Sequence, residues 1–293
     1  MPEQQLKIRL LGGVSLTLDD LPITDLPSRK AEALLVYLAC RQRPVAREVL
    51  AELLWDERGQ EQGLANLRSI LSSLQKQLKP YLIVTRQTIA FDPASRFWLD
   101  VAAFEAQIAA AGADPAALHA AAALYCGDFL EGFYLRESAG FEEWALLERE
   151  RLQRAAVMLF WRLIDAATAA GDYPAGLGYV DQLLRADNLS ERAHRQKLLL
   201  LARAGQFNAA MQHFEFYRRL LEEELGVAPE PESLALLAQI RTAREVRPPQ
   251  LPPPAPHFVG RDREQAELLA RLRDPACRLV TLLGAGGMGK TRL

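Results

Sequence analysis

Six residues recur at a fixed offset in the second half of the chain: Ala170-Gly171-Asp172-Tyr173-Pro174-Ala175 returns as Ala204-Gly205-Gln206-Phe207-Asn208-Ala209, 34 residues later. A unit of that length cannot bury an apolar face by itself, whereas stacked copies can, so the period predicts helix pairs packed side by side. The shared small-Gly-x-aromatic stretch is then the turn inside each pair. Around it Ile164 corresponds to Leu198, Ala167 to Leu201 and Leu177 to Met211, which predicts that these positions are buried. Two copies alone are marginal. Helices around Phe141 to Leu163 and Pro231 to Ile240 are therefore expected to supply flanking layers, roughly six to eight helices in all.

A 34-residue period is that of tetratricopeptide helix pairs, so residues 96–245 read as an all-α, tetratricopeptide-like domain. Two composition breaks set its limits. The proline-rich stretch 247–256 lacks most backbone donors and reads as an extended spacer, giving a linker at 246–257 and a separate unit at 258–293. Near Asp92-Pro93-Ala94-Ser95 apolar alternation gives way to Ala-rich helical patterning, which closes a first section at residues 1–92. The formal charge of −2 on 293 residues hides this organisation. Residues 1–92 carry +1 (12 Lys+Arg, 11 Asp+Glu), 93–245 carry −7 (15 and 22) and 246–293 carry +4 (8 and 4). With 49% apolar residues the long sections can bury real cores, which excludes a mostly disordered chain. A first section at only +1 leaves any case for nucleic acid to local arrangement.

That first section alternates Leu6, Ile8 and Leu10 with Lys7 and Arg9, turns at Gly12-Gly13, and alternates again at Val14, Leu16 and Leu18. Period two broken by a glycine pair predicts a hairpin, with Pro22-Ile23 adding a short third strand. Three helical patterns follow: residues 28–41 with Ser28 as N-cap, residues 46–55 with Val49, Leu50, Leu53 and Leu54 on one face, and about Glu61 to Leu78. Leu82 to Phe91 reads as a second hairpin with a polar tip. Strands, three helices and a closing hairpin make an α+β winged helix-turn-helix.

The third helix is the most informative element for function. Leu64, Leu67, Leu71, Leu74 and Leu78 form one apolar stripe. The opposite face carries Gln62, Ala65, Asn66, Ser69, Ser72, Ser73 and Lys76, with Arg68 on its flank and no carboxylate after Glu61. Such a face approaches phosphates without repulsion, and Asn, Ser and Arg can hydrogen-bond base edges in a major groove. It also fits an ordinary solvated face. The preceding helix and Arg86 at the hairpin tip favour the DNA reading, because a reading helix plus a wing is a complete docking device. Arg29, Lys30, Arg47, Lys79 and Arg86 are candidate phosphate contacts, each adding salt-sensitive affinity. The loop Asp56 to Gln60 fits either a polymerase-facing segment or a bare connector.

In the last section Arg278 to Leu283 reads as a buried strand that runs into Gly284-Ala-Gly-Gly-Met-Gly289-Lys290-Thr291. This satisfies GxxxxGK(S/T) in its strand-to-loop context. The amides around Gly284, Gly286, Gly287 and Gly289 would cradle phosphates, Lys290 would reach the β/γ oxygens, and the Thr291 hydroxyl would ligate magnesium. The sequence stops two residues later, before a helix or an acidic strand. The expectation is a truncated start of a P-loop α/β domain, with no NTPase activity and no cofactor for these residues alone; ATP and magnesium are implied only for a full-length protein.

No catalytic constellation is evident. His119, His194, His213 and His257 have no metal-ligand spacing, so no metal site is expected. Trp55, Trp98, Trp144 and Trp161 read as packing anchors. Cys40, Cys126 and Cys277 stand far apart, which fits a reducing cytoplasm rather than a disulfide framework. No run approaches a membrane span, and the N-terminus lacks a signal-peptide core.

With these residues in view, the sequence resembles the antibiotic-regulatory-protein (SARP/AfsR) class of bacterial transcriptional activators. LKIRLLGGVSLTLDD, SRKAEALLVYLAC, LAELLW, ANLRSILSSLQKQL and LIVTRQTIAF follow the order of that class's OmpR-type winged helix. ALYCGDFLEGF, FEEWALLERERL, GDYPAGLGYVDQLL and the stretch from Glu191 to Glu232 resemble its bacterial transcriptional activation domain. HFVGRDREQAELLARL and the P-loop resemble the start of the NB-ARC/AAA-like nucleotide-binding domain of larger members. The resemblance implies binding to direct repeats in double-stranded promoter DNA, as a homodimer, and recruitment of RNA polymerase through its sigma or alpha subunit. It places the recognition positions on Asn66, Arg68, Ser69, Ser73 and Lys76. No receiver domain precedes the winged helix, so aspartyl phosphorylation is not the expected switch. Two rival readings remain: a nucleotide-switched, STAND-type signalling ATPase whose N-terminal domains bind proteins, and a tetratricopeptide scaffold without DNA binding. The scaffold requires the carboxylate-free face to be buried against residues 93–245.

Overall fold

The computed structural model describes residues 5–112, 115–246, 262–273 and 279–281. The chain divides into two compact units, residues 1–244 and 245–293.

The first unit opens with β1 (Leu6–Arg9), β2 (Ser15–Leu18) and β3 (Leu21–Pro22). β1 and β2 pair antiparallel with Ile8 opposite Leu16, as the alternation requires, and β3 adds antiparallel to β2 one residue earlier than expected. Helix α1 (Arg29–Arg41) begins where Ser28 accepts a hydrogen bond from Ala31 N. Then come β4 (Val45–Ala46), α2 (Arg47–Leu54), α3 (Gln60–Leu78), a 3-10 turn (Lys79–Tyr81), β5 (Leu82–Val84) and β6 (Thr88–Phe91). β4 was not foreseen. It pairs with β6, so the closing hairpin is the far side of a three-stranded sheet ordered β4-β6-β5. Val49, expected in the apolar cluster of α2, is 49% exposed, because this eight-residue helix packs through Leu50, Ala51 and Leu54.

The break expected at 92–95 is a turn inside one packed unit. β7 (Phe97–Leu99), on its far side, pairs parallel with β1 and completes a sheet ordered β3-β2-β1-β7. Helices α4 (Asp100–Ala110), α5 (Pro115–Leu124), α6 (Ala139–Ala170), α7 (Tyr173–Ala186), α8 (Glu191–Arg203), α9 (Phe207–Leu225) and α10 (Pro231–Val246) follow. One apolar core runs from Leu6 through the α1 leucines to Phe141, Phe160 and Leu200. A smaller cluster around Phe214, Tyr217 and Leu237 closes the far end.

The repeat is visible as backbone hydrogen bonds at the same 34-residue offset. Gly171 N donates to Thr168 O and Asp172 N to Ala167 O; Gly205 N donates to Ala202 O and Gln206 N to Leu201 O. Both glycines sit at positive φ, +75° and +73°, the left-handed conformation that ends a helix without Cβ strain. Ile164 and Leu198 are fully buried, and Ala167 and Leu201 nearly so.

Histidines that are scattered in sequence meet between α8 and α9. His194 Nε2–H donates to Asn188 O at 2.9 Å, which leaves Nδ1 to accept from His213 Nε2–H at 3.0 Å, and Tyr217 stacks on His194. Burial pushes both imidazoles below their ordinary value, His213 to about 3, with Lys197 adding to the effect on each. Above pH ~6.5 the folded and unfolded forms are both neutral. Below it the unfolded chain takes up protons that the folded stack refuses, so stability falls as pH falls, by up to about 1.4 kcal/mol per pH unit per imidazole. Urea unfolding at pH 7 and 5.5 is expected to show this loss, and His213→Gln is expected to make it smaller.

In the second unit α11 (Asp262–Arg273) is the described element. Residues 279–281, expected in a buried strand, form none, and Leu279 is 82% exposed. A buried parallel strand needs partners on its edges, and the described residues of this unit supply only a helix. The P-loop residues Gly284, Gly286, Gly287, Gly289, Lys290 and Thr291 lie outside the described residues, as do linker residues 247–257.

Candidate nucleic-acid interface

Helix α3 is held by its leucines and by one contact with α2. Leu67, Leu71, Leu74 and Leu78 are buried, and Gly63 packs on Ala51 of α2, where a Cβ would stand 3.4 Å from that of Ala51, in ordinary contact. The other face is open. Gln62, Arg68, Ser69, Ser72 and Lys76 are exposed, and Asn66 and Ser73 are half-buried. This face is not covered by residues 93–245, the condition on which the scaffold reading depended. Gln62 Nε2 donates to Asn66 Oδ1 at 3.0 Å, which uses an acceptor of Asn66 and none of its amide donors. Arg68 and Lys76 have no ion-pair partner among the described residues.

The hairpin β5–β6 ends in a tight turn. Thr85 Oγ1 accepts from Gln87 N and Thr88 N at 3.3 and 2.9 Å, and Arg86 projects exposed from the tip. Arg47 has a different role from the one its charge suggested. Its Nε and Nη2 both donate to Thr85 O, at 3.0 and 2.7 Å, and its backbone N donates to Gln87 O at 3.0 Å. It anchors the wing to the start of α2.

Arg29 and Lys30 are likewise committed inside the molecule. Arg29 Nη1 donates to Tyr134 O at 3.3 Å, with its guanidinium 5.3 Å from the Phe133 ring. Lys30 Nζ donates to Leu54 O at 2.6 Å and to Glu137 O at 3.0 Å, above the Trp55 ring. Burial lowers its pKa, against the opposing pull of Glu137 and Asp56. Lys79 stays exposed.

The loop between α2 and α3 is neither a bare connector nor a free face. Asp56 Oδ2 accepts from Ala139 N at 2.7 Å and so caps α6, while Arg58 pairs with Glu137 at 3.3 Å. Buried Ser138 donates to Leu54 O at 2.8 Å. These partners are 79 to 84 residues apart, and no local pattern marks them. The winged-helix half and the helical half are thus joined by hydrogen bonds at both ends of their contact. At the other end Asp100 accepts from Leu10 N and Leu11 N, and Gly12 N donates to Asp128 O.

Residues 95–241 match the family described as the bacterial transcriptional activator domain. That match covers half of the chain. The chain belongs to this family. Its curated relatives include the regulatory protein AfsR of Streptomyces griseus, 29% identical over 290 residues, and AfsR of Streptomyces coelicolor, 29% identical over 299 residues. Each alignment covers 91% of this chain and 30% of the relative, so the chain spans under a third of their length. Among solved structures it resembles Mycobacterium tuberculosis EmbR, solved in complex with a low affinity phosphopeptide. The TM-score is 0.59 at 23% identity, over 83% of this chain and 69% of that one, and it shows a shared fold. No described helix is long and apolar enough to cross a membrane, and no group of three or more His, Cys, Asp or Glu among the described residues is placed to hold a metal.

Proposed function

We propose that this chain is a sequence-specific, DNA-binding transcriptional activator. The observation that carries the reading is the exposed, carboxylate-free face of α3 beside an exposed arginine wing. Asn66, Arg68, Ser69, Ser72, Ser73 and Lys76 enter the major groove, and Arg86 reaches the flanking minor groove. Arg47 sets the attitude of the wing. The acidic helical half meets RNA polymerase, through its sigma or alpha subunit, and two copies occupy direct repeats in a cytoplasmic setting. Family membership and the AfsR relatives support this reading.

Arg68→Ala with Lys76→Ala is expected to weaken binding at least 10-fold and to make the dependence of log K on log salt shallower by up to about 2, since each phosphate contact contributes roughly 0.9. Selection of genomic fragments by the purified chain supplies the DNA for that titration. Unchanged binding in the double variant would remove α3 from the interface.

The GxxxxGK(S/T) sequence ending at Lys290-Thr291 favours a second, compatible activity. Gly284, Gly286, Gly287, Gly289 and Lys290 cradle nucleotide phosphates with Thr291 toward magnesium, as in a nucleotide-switched ATPase. For these 293 residues alone we propose no NTPase activity; Lys290-dependent ATP hydrolysis would refute that.

A further inference from the structure

Two of the cations that sequence inspection nominated for phosphate, Arg29 and Lys30, hold a loop beside α3. Arg29 binds Tyr134 O, Lys30 binds Glu137 O, and Leu135 N donates to Glu142 Oε1 at 2.7 Å. The segment 134–137 is therefore fixed at three backbone points. Its Glu137 carboxylate faces Arg58, so its negative charge is already answered. Tyr134 remains 65% exposed. Arg136 is exposed too, and its guanidinium has no partner among the described residues.

This loop and the reading face of α3 line the same open groove of about 680 Å3, where Asn66 and Ser69 stand across from Tyr134 and Arg136. A helix about 10–12 Å across fills a major groove about 12 Å wide. Groups flanking a seated helix therefore meet a phosphodiester strand. An unpaired guanidinium on a fixed loop at that position matches a phosphate in charge and in geometry.

We infer that the segment 134–137 of the activation domain is a third DNA contact beside α3 and the wing, with Arg136 pairing to a backbone phosphate and Tyr134 lying along the same strand. This rests on the DNA-binding reading above. The helical half then grips the promoter directly, and its orientation on the DNA is set by the same residues that join it to the winged helix.

The test is salt-resolved binding by the full 293-residue chain, on a selected fragment and on an unrelated duplex. Arg136→Ala is expected to weaken both complexes about 3- to 10-fold and to make both salt slopes shallower by about 0.9. Arg136→Lys should recover most of the slope, and the urea midpoint of each variant should match the parent chain. Unchanged affinity and slope in Arg136→Ala overturn the inference while leaving the α3 reading intact. Lost transcriptional activation with DNA binding unaltered also overturns it, by assigning Arg136 to polymerase. A parent chain that binds neither DNA overturns both readings.

Discussion

Asp100→Ala is expected to lower the unfolding free energy by about 3–5 kcal/mol, measured by urea denaturation. The reason is accounting of backbone donors. Asp100 is 3% exposed at the start of α4, where its Oδ2 accepts from Leu10 N at 2.7 Å and Leu11 N at 2.9 Å, and its Oδ1 accepts from Val101 N at 2.7 Å. Leu10 and Leu11 are themselves 0% and 5% exposed, so water cannot replace the lost acceptor. Each orphaned buried N–H costs about 1–3 kcal/mol. Burial raises the Asp100 carboxyl above the ordinary aspartate range, and its three N–H bonds pull the other way. Asp100→Asn should fall between the parent and the alanine variant. One amide oxygen can still serve Leu10 and Leu11, but its NH2 then faces the Val101 N–H. A loss below about 1 kcal/mol for Asp100→Ala would mean that the strand end and α4 re-pair elsewhere.

Asp100 also shows where sequence reasoning ends. Periodicity reports on neighbours within a turn or a strand pair, and there it served well: Ser28 caps α1, the leucines of α3 are buried, and the 34-residue offset reappears bond for bond. The open face of α3 was legible for the same reason, since which residues share a helix face follows from spacing alone. Contacts between sections leave no such mark. The Gly12-Gly13 pair reads as a hairpin turn, and it is one, but a Cβ on Gly12 would also stand 3.2 Å from the Cys126 backbone, a constraint set 114 residues away. Charge told only part of the story. Arg29, Lys30 and Arg47 look like phosphate ligands because a sequence shows a cation without its partner, and here the partners are the carbonyls of Tyr134, Leu54, Glu137 and Thr85. Arg136, in an acidic section, drew no notice, although its guanidinium has no polar partner among the described residues. The boundary read at Asp92-Pro93 lies next to the start of the family match at residue 95, but nothing local shows that β7 beyond it pairs with β1 near the start of the chain.

The junction between the two halves turns on Trp144, and two substitutions there are expected to behave oppositely. The indole of Trp144 packs edge-on against Tyr37 of α1 at 4.8 Å and Phe129 at 5.7 Å, with Phe141 one helical turn away at 5.3 Å. It is 8% exposed, so Trp144→Ala opens a cavity lined by three aromatic rings and should cost about 3–5 kcal/mol. Because α1 and α6 meet across this ring, the alanine variant should also lose cooperativity, the winged-helix half and the repeat helices unfolding in separate steps that circular dichroism and tryptophan-independent probes resolve. Trp144→Phe is a different experiment. The indole Nε1–H is buried without a hydrogen-bond partner among the described residues, and an unpaired buried donor costs about 1–3 kcal/mol, which phenylalanine removes along with some packing volume. The two terms are of similar size, so Trp144→Phe should stay within about 1.5 kcal/mol of the parent and unfold in one step. If both variants lose the same stability, the hydrogen-bond account is wrong and the site is governed by volume alone. If Trp144→Ala unfolds in one step, the two halves are coupled chiefly through Asp100, Lys30 and Ser138 rather than through this ring.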